Sequence, residues 1–108
     1  LSAVAASSSS FVSVSPGYFR LVGTIELNEI KRLSAEAVLL WRELARNGLD
    51  QVEIDLSGVE SANSATLALL LECAELARER SIRLTYRELP EALTRLATVS
   101  NLLPLLEN

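Results

Sequence analysis

Residues 49–80 read LDQVEIDLSGVESANSATLALLLECAELARER, and the period of their pattern changes midway. From Leu49 to Leu56 apolar and polar residues alternate, with Val52, Ile54 and Leu56 on one side and charged groups on the other, the signature of a half-buried strand. Ser57 to Asn63 is a run of small and polar residues without proline. Leu67, Leu70, Leu71, Ala74 and Ala77 then return at helical spacing, and the helix ends near Arg80. A strand, a short loop and an amphipathic helix make the first part of a crossover unit in an α/β fold.

Toward the C-terminus, Ile82, Leu84 and Tyr86 alternate as a further strand. Pro90 stands where a first helical turn tolerates proline, and Leu93, Leu96 and Ala97 continue a short helix that stops at Ser100-Asn101. The remaining LLPLLEN is apolar and broken by proline, which suits a tail packed on the body or on a partner. Toward the N-terminus, Phe11 to Ser15 alternates, meets the turn pair Pro16-Gly17 and continues as Tyr18 to Gly23, a hairpin. Ile30, Leu33, Ala37, Leu40, Trp41 and Leu44 fall on one helical face that ends at Asn47-Gly48. The order β-β-α-β-α-β-α predicts an α/β fold with a mixed sheet of about four strands and amphipathic helices mainly on one face.

The chain has 108 residues, enough for one core and too few for two. Residues 1–10, LSAVAASSSS, read as a flexible tail, lacking the charged start and apolar centre of a signal peptide; residues 11–108 form the single expected domain. Charged residues make up 22% and mean hydropathy is +0.26, which places the chain among ordinary globular proteins. The net charge of −4 with scattered basic residues offers no footprint for nucleic acid. With no histidine and only Cys73, an internal disulfide, the usual metal-ligand sets and histidine-based triads are all out of reach. No apolar run approaches the ~20 residues of a membrane span, so a soluble chain without cofactor or metal is expected.

The segment from Val52 through Leu71 resembles the signature of the STAS domain, the family of sulfate-transporter and anti-sigma factor antagonist domains. The family pattern is a strand ending in Asp-Leu, a loop, then Asp-Ser/Thr-x-Gly-Leu opening a helix. Here Asp55-Leu56 and Asn63-Ser64-Ala65-Thr66-Leu67 occupy those places, and Gly23 to Leu27 is similar to the Gly-Glu-Leu stretch after the early strands. The runs Leu67 to Leu71 and Val38 to Trp41 are most similar to the MlaB branch, cytoplasmic subunits of phospholipid ABC transporters in Gram-negative bacteria. This chain departs from the pattern at Asn63, in place of aspartate, and at Ala65 and Thr66.

The resemblance implies a non-catalytic, cytoplasmic interaction module, reaching the inner-membrane face only through its complex. Its partner would be the ATPase subunit of a phospholipid-transporting ABC complex. The alternative is an anti-sigma factor antagonist, whose kinase partner phosphorylates the hydroxyl at the Ser64 position. Either way the contact surface is expected at Ser61, Asn63, Ser64, Ala65 and Thr66, continuing along the helix through Leu67, Leu71 and Glu75.

Physical chemistry supplies a plainer account of the same hydroxyls. A helix start has free N–H groups, and Ser64 or Asn63 is an ordinary N-cap worth ~1 kcal/mol. Trp41 is expected in the core, Cys73 as an inert small residue, and Glu72, Glu75, Glu79, Arg78 and Arg80 as a solvated helical face. Glu53 and Asp55 share a strand face but have no pocket, so loop or solvent hydrogen bonding is expected rather than catalysis. A ligand pocket of ~300 Å³ or more is hard to hollow from so small a core, which ranks a lipid-binding domain third and an enzyme last.

Overall fold

The computed structural model describes residues 9–107. In chain order they form β1 (Ser10–Ser15), β2 (Tyr18–Gly23), a 3-10 turn (Leu27–Glu29), α1 (Ile30–Arg46), β3 (Gln51–Val59), α2 (Ser64–Glu79), β4 (Arg83–Arg87), α3 (Glu91–Val99) and α4 (Leu103–Leu106). Of the tail expected over residues 1–10, the first eight lie outside the described residues. Ser9 is buried and Ser10 already opens β1. The Ser9 hydroxyl donates to Glu29 at 3.0 Å and its carbonyl accepts from Arg32 at 2.9 Å.

The sheet has four strands in the order β1-β2-β3-β4. β1 and β2 pair antiparallel through the Pro16-Gly17 turn, where Gly17 takes a φ of 79° that L side chains rarely adopt. β2, β3 and β4 are parallel, so α1 and α2 are crossover helices. Both crossovers step in the same direction along the sheet, and the right-handed rule therefore lays them on one face, side by side. The expected mixed α/β sheet with helices on one face is what the chain forms.

Between sheet and helices lies the core: Phe19 and Leu21 from β2, Val52, Ile54 and Leu56 from β3, Leu84 from β4, Leu33, Ala37, Trp41 and Leu44 from α1, and the apolar residues of α2. Trp41 is fully buried, tilted against Phe19 with ring centroids 6.1 Å apart, and its indole N–H donates to the Cys73 carbonyl at 3.3 Å. The Tyr86 hydroxyl donates to the Leu70 carbonyl at 2.6 Å. Both polar tips thus find partners on α2, as buried amphipathic aromatics require. Burial, with a smaller contribution from the Glu72 charge, pushes the Cys73 thiol up to about 12, so its reactive thiolate is inaccessible at neutral pH. The C-terminal LLPLLEN folds into α4 with Leu106 buried, and α4 packs on α2 and α3.

The other face of the sheet carries cross-strand ion pairs. Arg20 lies opposite Asp55 and bonds it at 3.1 Å, while Arg87 bonds Glu53 at 3.0 Å. The two carboxylates that share this face are therefore claimed by separate guanidiniums. Asp55 is only 6% exposed. The Ser57 amide at 2.8 Å is the main cause that holds its carboxyl below the ordinary 3.8, joined by the Ser57 hydroxyl and Arg20 and opposed by burial.

A folded carboxyl that ionises more readily than the unfolded one adds stability above the unfolded value, lost as pH falls through the folded value. We therefore expect Asp55→Asn to be less stable at neutral pH and to lose less further stability on acidification below pH ~3.8. Urea midpoints at both pH values measure this, and equal acid losses in the two proteins would rule it out.

Candidate interaction site at the start of α2

β3 ends at Val59, paired with Gly23 of β2, and the loop 60–63 turns into α2 through a side-chain lattice. Asn63 is extended, with φ −123° and ψ 179°, and its Oδ1 accepts the Thr66 N–H at 2.8 Å, which makes it the N-cap. The Thr66 hydroxyl donates to the same oxygen at 3.0 Å. Since that proton is committed, the 2.8 Å contact between Ser61 and Thr66 must carry the Ser61 proton. Ser61 Oγ in turn accepts the Ile25 N–H at 2.9 Å. Donors therefore run one way, from Ile25 to Ser61 to Thr66 to Asn63.

Two further bonds bind the same segments. Asn63 Nδ2 donates to the Ile25 carbonyl at 3.4 Å, and the Glu60 N–H donates to the Gly23 carbonyl at 2.9 Å. The chain leaving β2 is thus stitched to the loop leaving β3. Among the described residues the one buried side-chain polar atom without a partner is the Ser34 hydroxyl, outside this junction.

The residues expected at the contact surface divide into two sets. Ser64 and Asn63 are exposed, Ser61, Ala65 and Leu71 are half-buried, and Glu75 is exposed and paired with Arg78. Ser64, Leu71 and Glu75 follow one another at helical spacing, with Ala68 and Glu72, along a solvent-facing stripe of α2. Thr66 and Leu67 do not join them. Thr66 is wholly buried and Leu67 is 6% exposed, so neither side chain can meet a partner in this conformation. The physical reason is that α2 packs against α1, β4, α3 and α4, and so much covering turns most of its circumference inward.

Asn63, rather than Ser64, closes the helix, so the Ser64 hydroxyl is not spent on capping. It stands exposed in the first turn, beside free N–H groups at the positive end of the helix dipole. What the site gains from elsewhere is the segment Ile25–Leu27. Its place beside the loop depends on bonds between residues 36 and 38 positions apart, which no local pattern reveals. Among the described residues no group of histidine, cysteine or acidic side chains is arranged to hold a metal ion.

The four-stranded mixed sheet with packed helices is that of the STAS domain, a family of protein-interaction modules. The chain belongs to that family in the form described as Mlab, STAS domain, which matches residues 12–107. Among solved structures it is similar to the unphosphorylated form of the anti-sigma factor antagonist SpoIIAA, with a TM-score of 0.66 and 13% identity over 90% of this chain and 84% of that one. It is also similar to the protein TM1081, solved by NMR, with a TM-score of 0.61 and 19% identity over 89% of this chain and 75% of that one. Identities this low speak for the fold alone. No curated protein sequence matches the chain significantly.

The capping geometry is testable by stability. Asn63→Ala removes the cap and the tie to Ile25 and is expected to cost about 1–2 kcal/mol. Ser64→Ala removes an exposed hydroxyl and should stay within about 0.5 kcal/mol of wild type. Denaturant midpoints compare them, and a Ser64→Ala loss as large as that of Asn63→Ala would transfer the cap to Ser64.

Proposed function

We propose that this chain is a non-catalytic subunit that binds, and stabilises or regulates, the ATPase subunit of a phospholipid-transporting ABC complex. The observation that carries the proposal is Ser64. It is exposed in the first turn of α2, spared from capping by Asn63 and held in place by the lattice beneath it. Membership of the Mlab form of the STAS family supports the transporter reading. The contact surface in this reading is Ser61, Asn63, Ser64 and Ala65 with the outward stripe through Leu71 and Glu75. No helix among the described residues is long and apolar enough to cross a membrane. The place of action would be the cytoplasmic face of the inner membrane, reached through the complex.

A second reading, an anti-sigma factor antagonist controlled by phosphorylation of Ser64, is favoured by the exposure of that hydroxyl in the first turn of α2. Asn63 weighs against it, because the family pattern has a carboxylate there. The two readings separate on the partner: an ATPase subunit that co-purifies supports the first, and a kinase that adds phosphate to Ser64 supports the second.

Charge at Ser64 is the common lever. A carboxylate or phosphate there is tolerated by the helix end, yet it must be desolvated when a partner closes over it. Ser64→Glu is therefore expected to weaken capture of the co-expressed ATPase subunit roughly tenfold, about 1.4 kcal/mol, with Ser64→Ala binding like wild type. Equal capture of all three proteins would sink the assignment of this surface.

A further inference from the structure

A helix start and one hydroxyl do not make a stable interface, because most binding energy comes from a few side chains buried at its centre. The segment stitched to the α2 start carries such a side chain. Leu27 is 79% exposed in the 3-10 turn. Ile25, two residues before it, bonds to Ser61 and Asn63, and two residues of chain keep the Leu27 backbone within about 7 Å of Ile25. Among the described residues its side chain belongs neither to the buried core nor to the apolar residues packed against it.

Carboxylates outnumber basic groups around it: Lys31 and Arg32 follow the turn, and Arg32 is taken up by Glu29 and Glu36. Glu26 and Glu60 are exposed and have no ion-pair partner among the described residues. Glu29 differs: its burial cost is outweighed by hydrogen bonds from the Ser9 hydroxyl, the Glu26 backbone and Arg32, and its carboxyl is held below the usual value. No lysine or arginine occurs from Gly23 to Ile30 or from Ser57 to Ala77. An apolar residue flanked by unpaired carboxylates favours a basic partner and repels an anionic lipid surface.

We infer that Leu27 and Ser64 belong to one docking surface, whose protein partner receives Leu27 in an apolar pocket bordered by lysine or arginine side chains. Glu26 and Glu60 steer that partner into place. The lattice from Ile25 to Asn63 keeps the leucine and the serine in fixed relation, so the partner meets both at once. This inference rests on the partner-binding reading of Ser64 and extends the surface across the β2–α1 turn.

The test titrates the purified ATPase subunit of a phospholipid ABC complex with wild type, Leu27→Ala, Val99→Ala, Ser64→Glu and the double variant Glu26→Gln/Glu60→Gln, at low and high salt. Val99 is 81% exposed at the end of α3 and serves as a control for loss of any exposed apolar side chain. Leu27→Ala should bind roughly tenfold or more weakly and Val99→Ala like wild type. The double variant should bind a few-fold more weakly at low salt and lose most of the salt dependence. Leu27→Ala binding like wild type while Ser64→Glu is impaired would overturn this inference and leave the proposed function standing. Failure of wild type to bind the ATPase subunit would bring down both, and capture of wild type by anionic phospholipid vesicles would replace the basic protein partner with a membrane.

Discussion

The Ile25 amide gives its hydrogen to Ser61, Ser61 gives its own to Thr66, and Thr66 gives its own to Asn63. This one-way chain settles a problem that parallel strands create. β2 and β3 end side by side, and each must hand its backbone to a helix without leaving buried polar groups unpaired. The chain satisfies the exits of both strands with three short side chains and fixes where α2 begins. Once that start is fixed, the rest of the helix is indexed, and α1, β4, α3 and α4 can pack against it. Trp41 and Tyr86 complete the arrangement by donating to the Cys73 and Leu70 carbonyls of α2, so the central helix is held at its end and along its length.

The elements were legible because their periodicities are clean. Val52, Ile54 and Leu56 alternate on a strand and are buried; Leu33, Ala37, Trp41 and Leu44 fall on one helical face and are buried. The site was only half legible. Periodicity marks apolar positions but not how much of a helix its neighbours will cover, which is why Thr66 and Leu67 fell inside rather than on the surface. The choice between Asn63 and Ser64 as cap also lay beyond sequence, since both types cap well and only the reach of the Asn63 side chain to Thr66 and Ile25 decides it. The neighbourhood of Ile25 and Leu27 was hidden for a different reason: it is made by strand pairing across a long sequence separation, and separation in sequence leaves no local trace.

The hydroxyl cluster at the junction therefore has a division of labour. Ser61 and Thr66 belong to the frame, Asn63 closes the helix, and Ser64 alone is left outward. A shared location does not imply a shared role, and the difference follows from proton accounting. Replacing the family's aspartate with Asn63 fits the same account, because an amide can accept from Thr66 and donate to Ile25 at once, whereas an ionised carboxylate can only accept. The amide thus adds a 3.4 Å bond to Ile25 and brings no negative charge beside Ser64.

The stitching of Ile25 to Ser61 and Asn63 joins segments 36 and 38 residues apart, at the end where β2 and β3 pair. Loop-closure entropy makes such non-local contacts late and conditional on the sheet. A surface built on them does not exist in a partly folded chain. The proposed partner would recognise completed folding as much as particular side chains, and by binding the folded state alone it would draw the equilibrium toward that state. In the proposed complex, assembly would then double as a check on folding.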